Sequence, residues 1–382
     1  MDKLILLYAG TCLLAWLSQQ YNPSGMGLQT DRDRHFLLDP MDVYTLGIVV
    51  WMTLFSGLRT AYNDTGAYIN GFNKAASSFA EFWTEGQTLG FAENPLFYLT
   101  QVLVKSVVDN YHVWFIMIAF FSNYIAVKFF RHYAPSFMLG ILLFHAVGTY
   151  VLYMAAVKQS VAMAIAMCAI PFALNRKWLV YFPMILFAML FHTHAFMLLI
   201  VPFMMGKPWG PITWILGVAA VFAMATYDST LGIFVEYAQS IGANVSHSEV
   251  FDDHSLNALR VAVYAVPALL ALIFRRRLFR DSGRAEDFMV NMSIVSMFIL
   301  AIGLVEGGNL FARMAGYFEW ATAIALPWMI GKLFNRKSVY FVSGCAAALY
   351  TVYFLYEFGV SKDFGNGYAA INLLELFDSL IA

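Results

Sequence analysis

Charged residues are scarce in this sequence of 382 residues, and hydrophobic residues are in excess. Only 12% of the residues are charged and 60% are hydrophobic, whereas soluble globular domains have roughly 25% charged and 45–50% apolar residues. The mean hydropathy of +0.65 points the same way. This composition excludes an ordinary soluble protein and predicts an integral membrane protein.

Three other absences narrow the possible functions. The three cysteines all lie within apolar segments, so a disulfide framework is not expected. The formal net charge is only -1, and no basic stripe interleaved with aromatic residues suggests nucleic acid as a partner. The sequence contains no G-x-S-x-G, phosphate-binding loop, dinucleotide fingerprint or H-E-x-x-H. The usual soluble-enzyme chemistries are therefore excluded.

Apolar runs recur along the whole chain with no linker of low complexity between them. A helix needs about 20 apolar residues to cross the hydrocarbon layer, and residues 4–19 lack a signal-peptide cleavage site, so we expect them to be retained as a span. The pattern predicts an all-α, polytopic protein with a single membrane domain over residues 1–382. The twelve predicted spans are 4–19, 43–58, 111–130, 134–157, 159–175, 178–191, 195–206, 209–226, 256–274, 287–305, 311–331 and 338–356.

Lysine and arginine are concentrated in alternate connections between these spans, and cytoplasmic loops normally carry that excess. The arginine cluster of 275–284 fixes one connection inside. Counting spans from it places fifteen of the twenty-three basic residues inside and both termini outside. Residues 227–255 have acidic side chains but neither lysine nor arginine, which suits an outer loop.

Residues 59–110 form a second predicted outer loop, which contains a short apolar run ending at Val108. Asn94 is a candidate helix N-cap, and Pro95 suits the first helical position. The run is too short to cross the membrane. We therefore expect an amphipathic helix lying on the outer surface.

Four basic residues lie at or just inside the outer ends of predicted spans. A snorkelling side chain or an internal ion pair would explain any one of them. Four such charges on one face instead favour a cavity that binds a polyanion such as a pyrophosphate, whose oxygens match the planar fork of arginine. These residues are Arg59, Lys158, Arg260 and Arg313.

Three carboxylates are candidates for proton transfer at the same face. Asp64 lies in LRTAYNDTGAYINGF, where it can either cap a helix beginning near Gly66 or take a proton from a hydroxyl nucleophile. Glu306 can act similarly or pair with Arg313. Glu93 has the same chemistry, although a water-facing position would also explain it.

His192 and His194 form an H-x-H sequence at the junction of two short spans. On a helix, residues two apart point about 200° away from each other, which argues against a shared metal site. His192 can either bond a neighbouring helix or bind substrate.

Five short motifs follow one another along the chain. They are Arg59 with Asp64-Thr65-Gly66-Ala67-Tyr68, Glu93-Asn94-Pro95-Leu96-Phe97-Tyr98, Lys158-Gln159-Ser160-Val161-Ala162, Phe191-His192-Thr193-His194-Ala195, and Arg313-Met314-Ala315-Gly316-Tyr317. In this order they resemble the EpsG-type, Wzy-like polysaccharide polymerases over roughly residues 55–330. Lys158 stands where that family more often has arginine, and a lysine offers phosphate a point charge in place of the bidentate fork of arginine.

The resemblance implies a GT-C-like membrane glycosyltransferase that joins oligosaccharide units carried on undecaprenyl pyrophosphate, at the outer face of the bacterial cytoplasmic membrane. Such a reaction needs a stabilised pyrophosphate leaving group and a base for the acceptor hydroxyl. The implied partners are the lipid-linked oligosaccharides, the bilayer, a flippase and a chain-length regulator. Because cations can replace a metal ion, no metal and no other cofactor is expected. The catalytic candidates are Asp64, His192 and Glu306, and the substrate-binding candidates are Arg59, Tyr68, Glu93, Lys158, Gln159, Arg260, Arg313 and Tyr317.

Two other function classes fit a bundle with a basic cavity. A transporter or flippase for lipid-linked sugars would place its charges nearer the membrane midplane than they are here. A membrane O-acyltransferase acting on polysaccharide would use an intramembrane histidine such as His192, but would need a polar site on the cytoplasmic side.

Overall fold

The computed structural model describes residues 1–22, 35–78, 80–82, 94–227 and 255–381. Regular structure in these residues is almost entirely helical, which confirms the all-α class. Glu93 and almost all of the predicted outer loop 227–255 lie outside the described residues. In chain order the α-helices are α1 Asp2–Tyr21, α2 Val43–Gly57, α3 Thr65–Lys74, α4 Pro95–Lys105, α5 Tyr111–Tyr133, α6 Phe137–Ala146, α7 Thr149–Ala155, α8 Val157–Leu174, α9 Trp178–Met189, α10 Pro211–Ala225, α11 Ala258–Ile273, α12 Arg275–Leu278, α13 Arg284–Ile302, α14 Gly308–Glu319, α15 Thr322–Leu333, α16 Arg336–Tyr356, α17 Phe364–Gly367 and α18 Leu373–Ile381.

Each predicted span coincides with a helix or with two helices separated by a break. The span 134–157 is broken into α6 and α7, which meet at 52°. Gly148 stands at this break with a φ of +82°, a conformation that glycine adopts without steric cost. The span 311–331 is divided between α14 and α15, and the span 195–206 is the 3₁₀ helix Thr193–Met205.

Length and composition separate the helices that can cross a membrane alone from the shorter ones. Within the described residues, α5, α8, α13 and the helical segment Arg336–Ser361 are long and apolar enough, and α6 with α7 counts as a fifth if the bent pair is one span. Helix α16 leaves Tyr340, Phe341 and Leu349 at least 70% exposed, as expected for lipid-facing side chains. The protein is therefore an all-α membrane protein, while the number of twelve crossings stays a prediction.

The chain divides into two compact units, one formed by residues 1–199 with 341–382 and the other by 200–340. In the first unit α1 packs against α2 and α6, α2 against α5, α5 against α8, and α8 against α9. Helix α2 begins where the Asp42 carboxylate accepts the Thr45 amide at 2.9 Å, a conventional N-cap. The single polytopic domain stays a prediction.

The second unit is built around α13, which packs against α10, α11, α14 and α15. The buried side chain of Asn291 in α13 donates to the carbonyl oxygens of Met204 and Gly206, both at 2.8 Å. These bonds satisfy backbone carbonyls where the 3₁₀ helix ends, which apolar surroundings would otherwise leave unsatisfied.

Candidate functional site

Arg59 is the most deeply buried of the predicted cations. It lies in strand β1, Arg59–Ala61, directly after α2, and only 1% of its surface is exposed. Its Nε donates to Thr65 Oγ1 at 3.0 Å, its Nη1 donates to the Ser56 carbonyl, and its guanidinium lies 4.2 Å from the centre of the Phe115 ring. Nη2 has no hydrogen-bond partner among the described residues. The guanidinium is thus held firmly while one of its nitrogens stays available for a ligand.

The charge of Arg59 is not balanced by any carboxylate in the described part of the chain. Burial lowers the pKa of Arg59 to about 10, and the nearby phenols of Tyr150, Tyr68 and Tyr368 partly oppose that shift. The side chain therefore remains a cation at neutral pH. An unpaired buried cation is unfavourable on its own and creates a demand for an anion.

The Asn-Asp-Thr sequence of residues 63–65 forms the turn that leads into α3. Asn63 has a φ of +49°, which asparagine tolerates better than most residues, and the Thr65 amide donates to the Tyr62 carbonyl at 3.0 Å. Thr65 then places its hydroxyl on Arg59. Capping a helix was one of the two alternatives that the sequence left open for Asp64. Asp64 does occupy the N-cap position of α3, but its side chain makes no capping hydrogen bond. Its carboxylate is half-buried, next to the residue that positions Arg59.

The C-terminal segment fixes the backbone of Arg59. Strand β2, Ala369–Ala370, pairs antiparallel with β1, with Arg59 opposite Ala370. The Ile371 amide donates to the Leu58 carbonyl at 3.0 Å. Tyr368 stacks on Phe55 with ring centres 4.6 Å apart, and its hydroxyl donates to the Phe55 carbonyl at 2.7 Å. Residues 368–371 thereby pack against the C-terminal end of α2.

We call the contacts of Tyr368 and β2 with the end of α2 and with β1 the C-terminal clamp. Two substitutions of Tyr368 test it. Tyr368→Phe removes one hydrogen bond and is expected to lower the free energy of unfolding by about 1 kcal/mol. Tyr368→Ala also removes a half-buried ring and is expected to lower it by about 2–3 kcal/mol. The measurement is thermal unfolding of the purified protein in detergent. Equal melting temperatures for Tyr368→Ala and the wild type would contradict the clamp.

Tyr68 and Lys158, predicted from different motifs, meet at one aromatic cluster. The Tyr68 ring lies 5.8 Å from the Phe97 ring, and Lys158 Nζ lies 5.4 Å from the same ring. Lys158 Nζ also donates to the Tyr98 hydroxyl at 3.1 Å. Phe97 and Tyr98 belong to α4, which begins at Pro95 with Asn94 at the N-cap position as predicted, although the Asn94 side chain does not cap it. The structure thus brings three of the five motifs together.

A small pocket adjoins Arg59. It leaves only about 10 Å³ for the centre of a water-sized group, and Arg59, Asn123, Ser122 and Ser160 contribute to its lining. Gln159, a predicted substrate-binding residue, is fully buried beside Ser160 in α8.

His192 and His194 are closer together than the sequence predicts. Their ring centres lie 4.8 Å apart in an edge-to-face arrangement. The prediction that they point apart is wrong because it assumed a regular α-helix, whereas α9 ends at Met189 and His192 precedes the 3₁₀ helix. Within the described residues, no group of three histidine, cysteine or acidic side chains could hold a metal ion.

In the second unit, Arg260 has a partner that the sequence analysis did not single out. Its Nη2 lies 3.7 Å from Glu319 Oε1, and the Tyr264 hydroxyl donates to Glu319 Oε2 at 3.2 Å. Glu319 is 1% exposed. This geometry favours the internal ion pair among the alternatives for Arg260.

The remaining predicted residues of the second unit lie around α14. Tyr317 is 1% exposed and Arg313 is half-buried in the same helix, while half-buried Glu306 lies just before it. Gly307 follows with a φ of +66°, so the chain turns sharply between Glu306 and α14.

Glu319 and Asn123 are the two functional candidates that the motifs missed. Each is a polar side chain inside an apolar run of about 20 residues, and such a position is itself a signal because an uncompensated polar group there is costly. Asn123 lies one helical turn beyond Ala119 on the face of α5 that contains Phe115. That face lines the pocket beside Arg59.

Comparison with known proteins identifies one family. The family model described as the EpsG family matches residues 43–372, which is most of the chain. No curated protein and no solved structure matches the sequence.

Proposed function

The chain belongs to the EpsG family, and on that premise we propose that it is a glycosyltransferase that polymerises oligosaccharide repeat units linked to undecaprenyl pyrophosphate. The reaction takes place at the outer face of the bacterial cytoplasmic membrane, where the charge count predicts that residues 59–110 lie. Its products are exopolysaccharide, capsule or O-antigen chains, and a flippase and a chain-length regulator are its protein partners.

The observation that carries this proposal is the buried cation Arg59, within a chain whose family match extends from α2 to the end of β2. A lipid pyrophosphate supplies the negative charge that Arg59 lacks. Lys158, held on the aromatic cluster, is a second cation in the same unit. Within the second unit, Arg313 and Tyr317 are the proposed substrate-binding residues.

The proposed step is a displacement at the anomeric carbon of the growing chain. A hydroxyl oxygen of the incoming lipid-linked unit forms the new bond to that carbon, and the bond from the carbon to the pyrophosphate oxygen breaks. The pyrophosphate leaves with the electron pair, where Arg59 stabilises the developing charge. The hydroxyl proton passes to Asp64, with His192 and Glu306 as alternative bases.

The test is polymerisation by the purified full chain in lipid nanodiscs. Given only lipid-pyrophosphate-linked oligosaccharide, the protein is expected to produce a ladder of saccharides that differ by one repeat unit. Because no metal takes part in the proposed step, the ladder is expected to persist in the presence of a chelator. The readout is gel electrophoresis and mass spectrometry of the released glycans.

The same assay separates the alternative functions. A transporter would move the oligosaccharide across the bilayer of a proteoliposome without lengthening it. An O-acyltransferase would add the mass of an acyl group and no repeat unit. Absence of a ladder with an authentic substrate would overturn the proposed function.

A further inference from the structure

The pocket beside Arg59 contains a second polar side chain whose hydrogen-bonding capacity is unused. Asn123 of α5 is 1% exposed, and neither Nδ2 nor Oδ1 has a hydrogen-bond partner among the described residues. The Nη2 atom of Arg59 also has no hydrogen-bond partner among the described residues, and both residues line the pocket. Buried polar groups normally have partners, so two such groups at one pocket mark it as a candidate site for a polar ligand.

The hydroxyl groups around the pocket do not supply those partners, because their protons are already committed. Ser160 donates to the Val157 carbonyl at 2.9 Å, so Ser122 is the donor in its 3.2 Å contact with Ser160. Tyr150 donates to the Met52 carbonyl at 2.8 Å, so Ser56 is the donor in its 2.9 Å contact with Tyr150. The free donors of the pocket are therefore Arg59 Nη2 and Asn123 Nδ2, and Asn123 Oδ1 is a free amide acceptor.

Charge and size select among the ligands that such a set could bind. A water molecule could satisfy the amide, but it would leave the charge of Arg59 unbalanced. A saccharide is too large for a pocket that leaves only about 10 Å³ for the centre of a water-sized group. A small oxyanion that also carries one hydrogen-bond donor matches both the cation and the amide.

We propose that the pocket formed by Arg59 and Asn123 binds a terminal phosphoryl group. Two phosphoryl oxygens accept hydrogen bonds from Arg59 Nη2 and Asn123 Nδ2, and Asn123 Oδ1 accepts the hydrogen bond of the P–OH group. A phosphodiester has no P–OH group and carries a second substituent. The pocket therefore discriminates against the intact glycosyl pyrophosphate and favours the lipid pyrophosphate that is left after transfer, once its terminal phosphoryl group has taken up a proton from water. The identity of that lipid rests on the proposed function, whereas recognition of the phosphoryl group does not.

The test is equilibrium binding to the purified full chain, with radiolabelled inorganic phosphate as the probe and with sulfate and dimethyl phosphate as competitors. Sulfate has no proton to donate at neutral pH, and dimethyl phosphate has no P–OH group. Phosphate is therefore expected to bind the wild type at least about tenfold more tightly than either competitor, because one hydrogen bond involving a charged group is at stake. Undecaprenyl phosphate competes if the group comes from a lipid and does not compete if the pocket serves free phosphate, and either result supports the site.

Three variants compare the amide group of Asn123, which has no hydrogen-bond partner among the described residues, with the hydroxyl of Ser122, which already has one. Asn123→Leu keeps a similar volume but no polar atom, and is expected to weaken phosphate binding at least about tenfold and to remove the preference over sulfate. Ser122→Ala removes a hydroxyl that already has its partner, and is expected to change binding less than about twofold. Asn123→Asp places a carboxylate beside Arg59, and is expected to weaken phosphate binding while raising the melting temperature.

Two results would overturn the inference. One is wild-type protein that binds no phosphate, in which case the pocket holds water. The other is phosphate binding that Asn123→Leu and Asn123→Asp leave unchanged. Failure of the polymerisation assay is a separate outcome. If phosphate binding depends on Asn123 but no ladder forms, the phosphoryl site stands and the proposed function is overturned. If a ladder forms but phosphate binding does not depend on Asn123, the proposed function stands and the phosphoryl site is overturned.

Discussion

Arg59→Lys is expected to reduce the rate of polymerisation by about 10²–10³-fold, the range found when one donor to a developing oxyanion is lost. Lysine keeps the charge but has no planar fork, so it cannot donate to Thr65 and Ser56 and still present a nitrogen to the ligand. The measurement is the initial rate of ladder formation at saturating substrate. Arg276→Ala is the matched control, since Arg276 is exposed in α12. A lysine variant within about twofold of the wild type would contradict the role of Arg59.

The pH dependence of the same variant gives an independent test. The pKa of Arg59 is lowered to about 10 by burial, so the wild-type cation persists up to roughly pH 9. An ordinary lysine pKa is about 10.4, already below that of arginine, and the same burial lowers it further. The residual activity of Arg59→Lys is therefore expected to fall as pH rises above neutrality, under conditions in which the wild type keeps its charge. A parallel pH profile for the two proteins would show that the charge at this position is not needed.

The helices could be predicted from the sequence because each depends on local information. Apolar runs of suitable length give α5 and α8, and the Asn94-Pro95 signal gives the start of α4. The break between α6 and α7 was not predicted, since one glycine in an apolar run is a weak signal. The arrangement of His192 and His194 was predicted wrongly, because helical periodicity was extended past the end of α9.

The surroundings of Arg59 could be predicted only in part. The motif that contains Arg59 and the Asp-Thr turn lies within a few residues, and the structure joins the two through the hydrogen bond from Arg59 to Thr65. The clamp by Tyr368 joins positions 313 residues apart, and no local pattern specifies such a pairing. The positions of Asn123 and Glu319 at a pocket and at an ion pair could not be predicted, because that needs knowledge of which helix faces meet. A polar residue within an apolar run indicates that a polar partner is needed, but not which residue or ligand supplies it.

Asp64→Asn is expected to lower the turnover number by about 10²–10⁴-fold, the usual contribution of a general base. Asparagine is isosteric and is as good an N-cap residue as aspartate. The Asp64 side chain makes no capping bond in any case, so α3 and the neighbouring Thr65–Arg59 contact are expected to survive. The substitution therefore removes the carboxylate and keeps a side chain of the same size at the N-cap position.

The required result is a split between turnover and binding. The affinity for lipid-pyrophosphate-linked oligosaccharide and the melting temperature are expected to match the wild type, since the phosphate contacts belong to other residues. Asp109→Asn is the control, because Asp109 is an exposed carboxylate of the same unit, just before α5. If Asp64→Asn polymerises normally and Glu306→Gln does not, the base is Glu306. If neither substitution slows the reaction, proton transfer to a carboxylate at these positions is not part of the mechanism, and His192→Gln becomes the decisive variant.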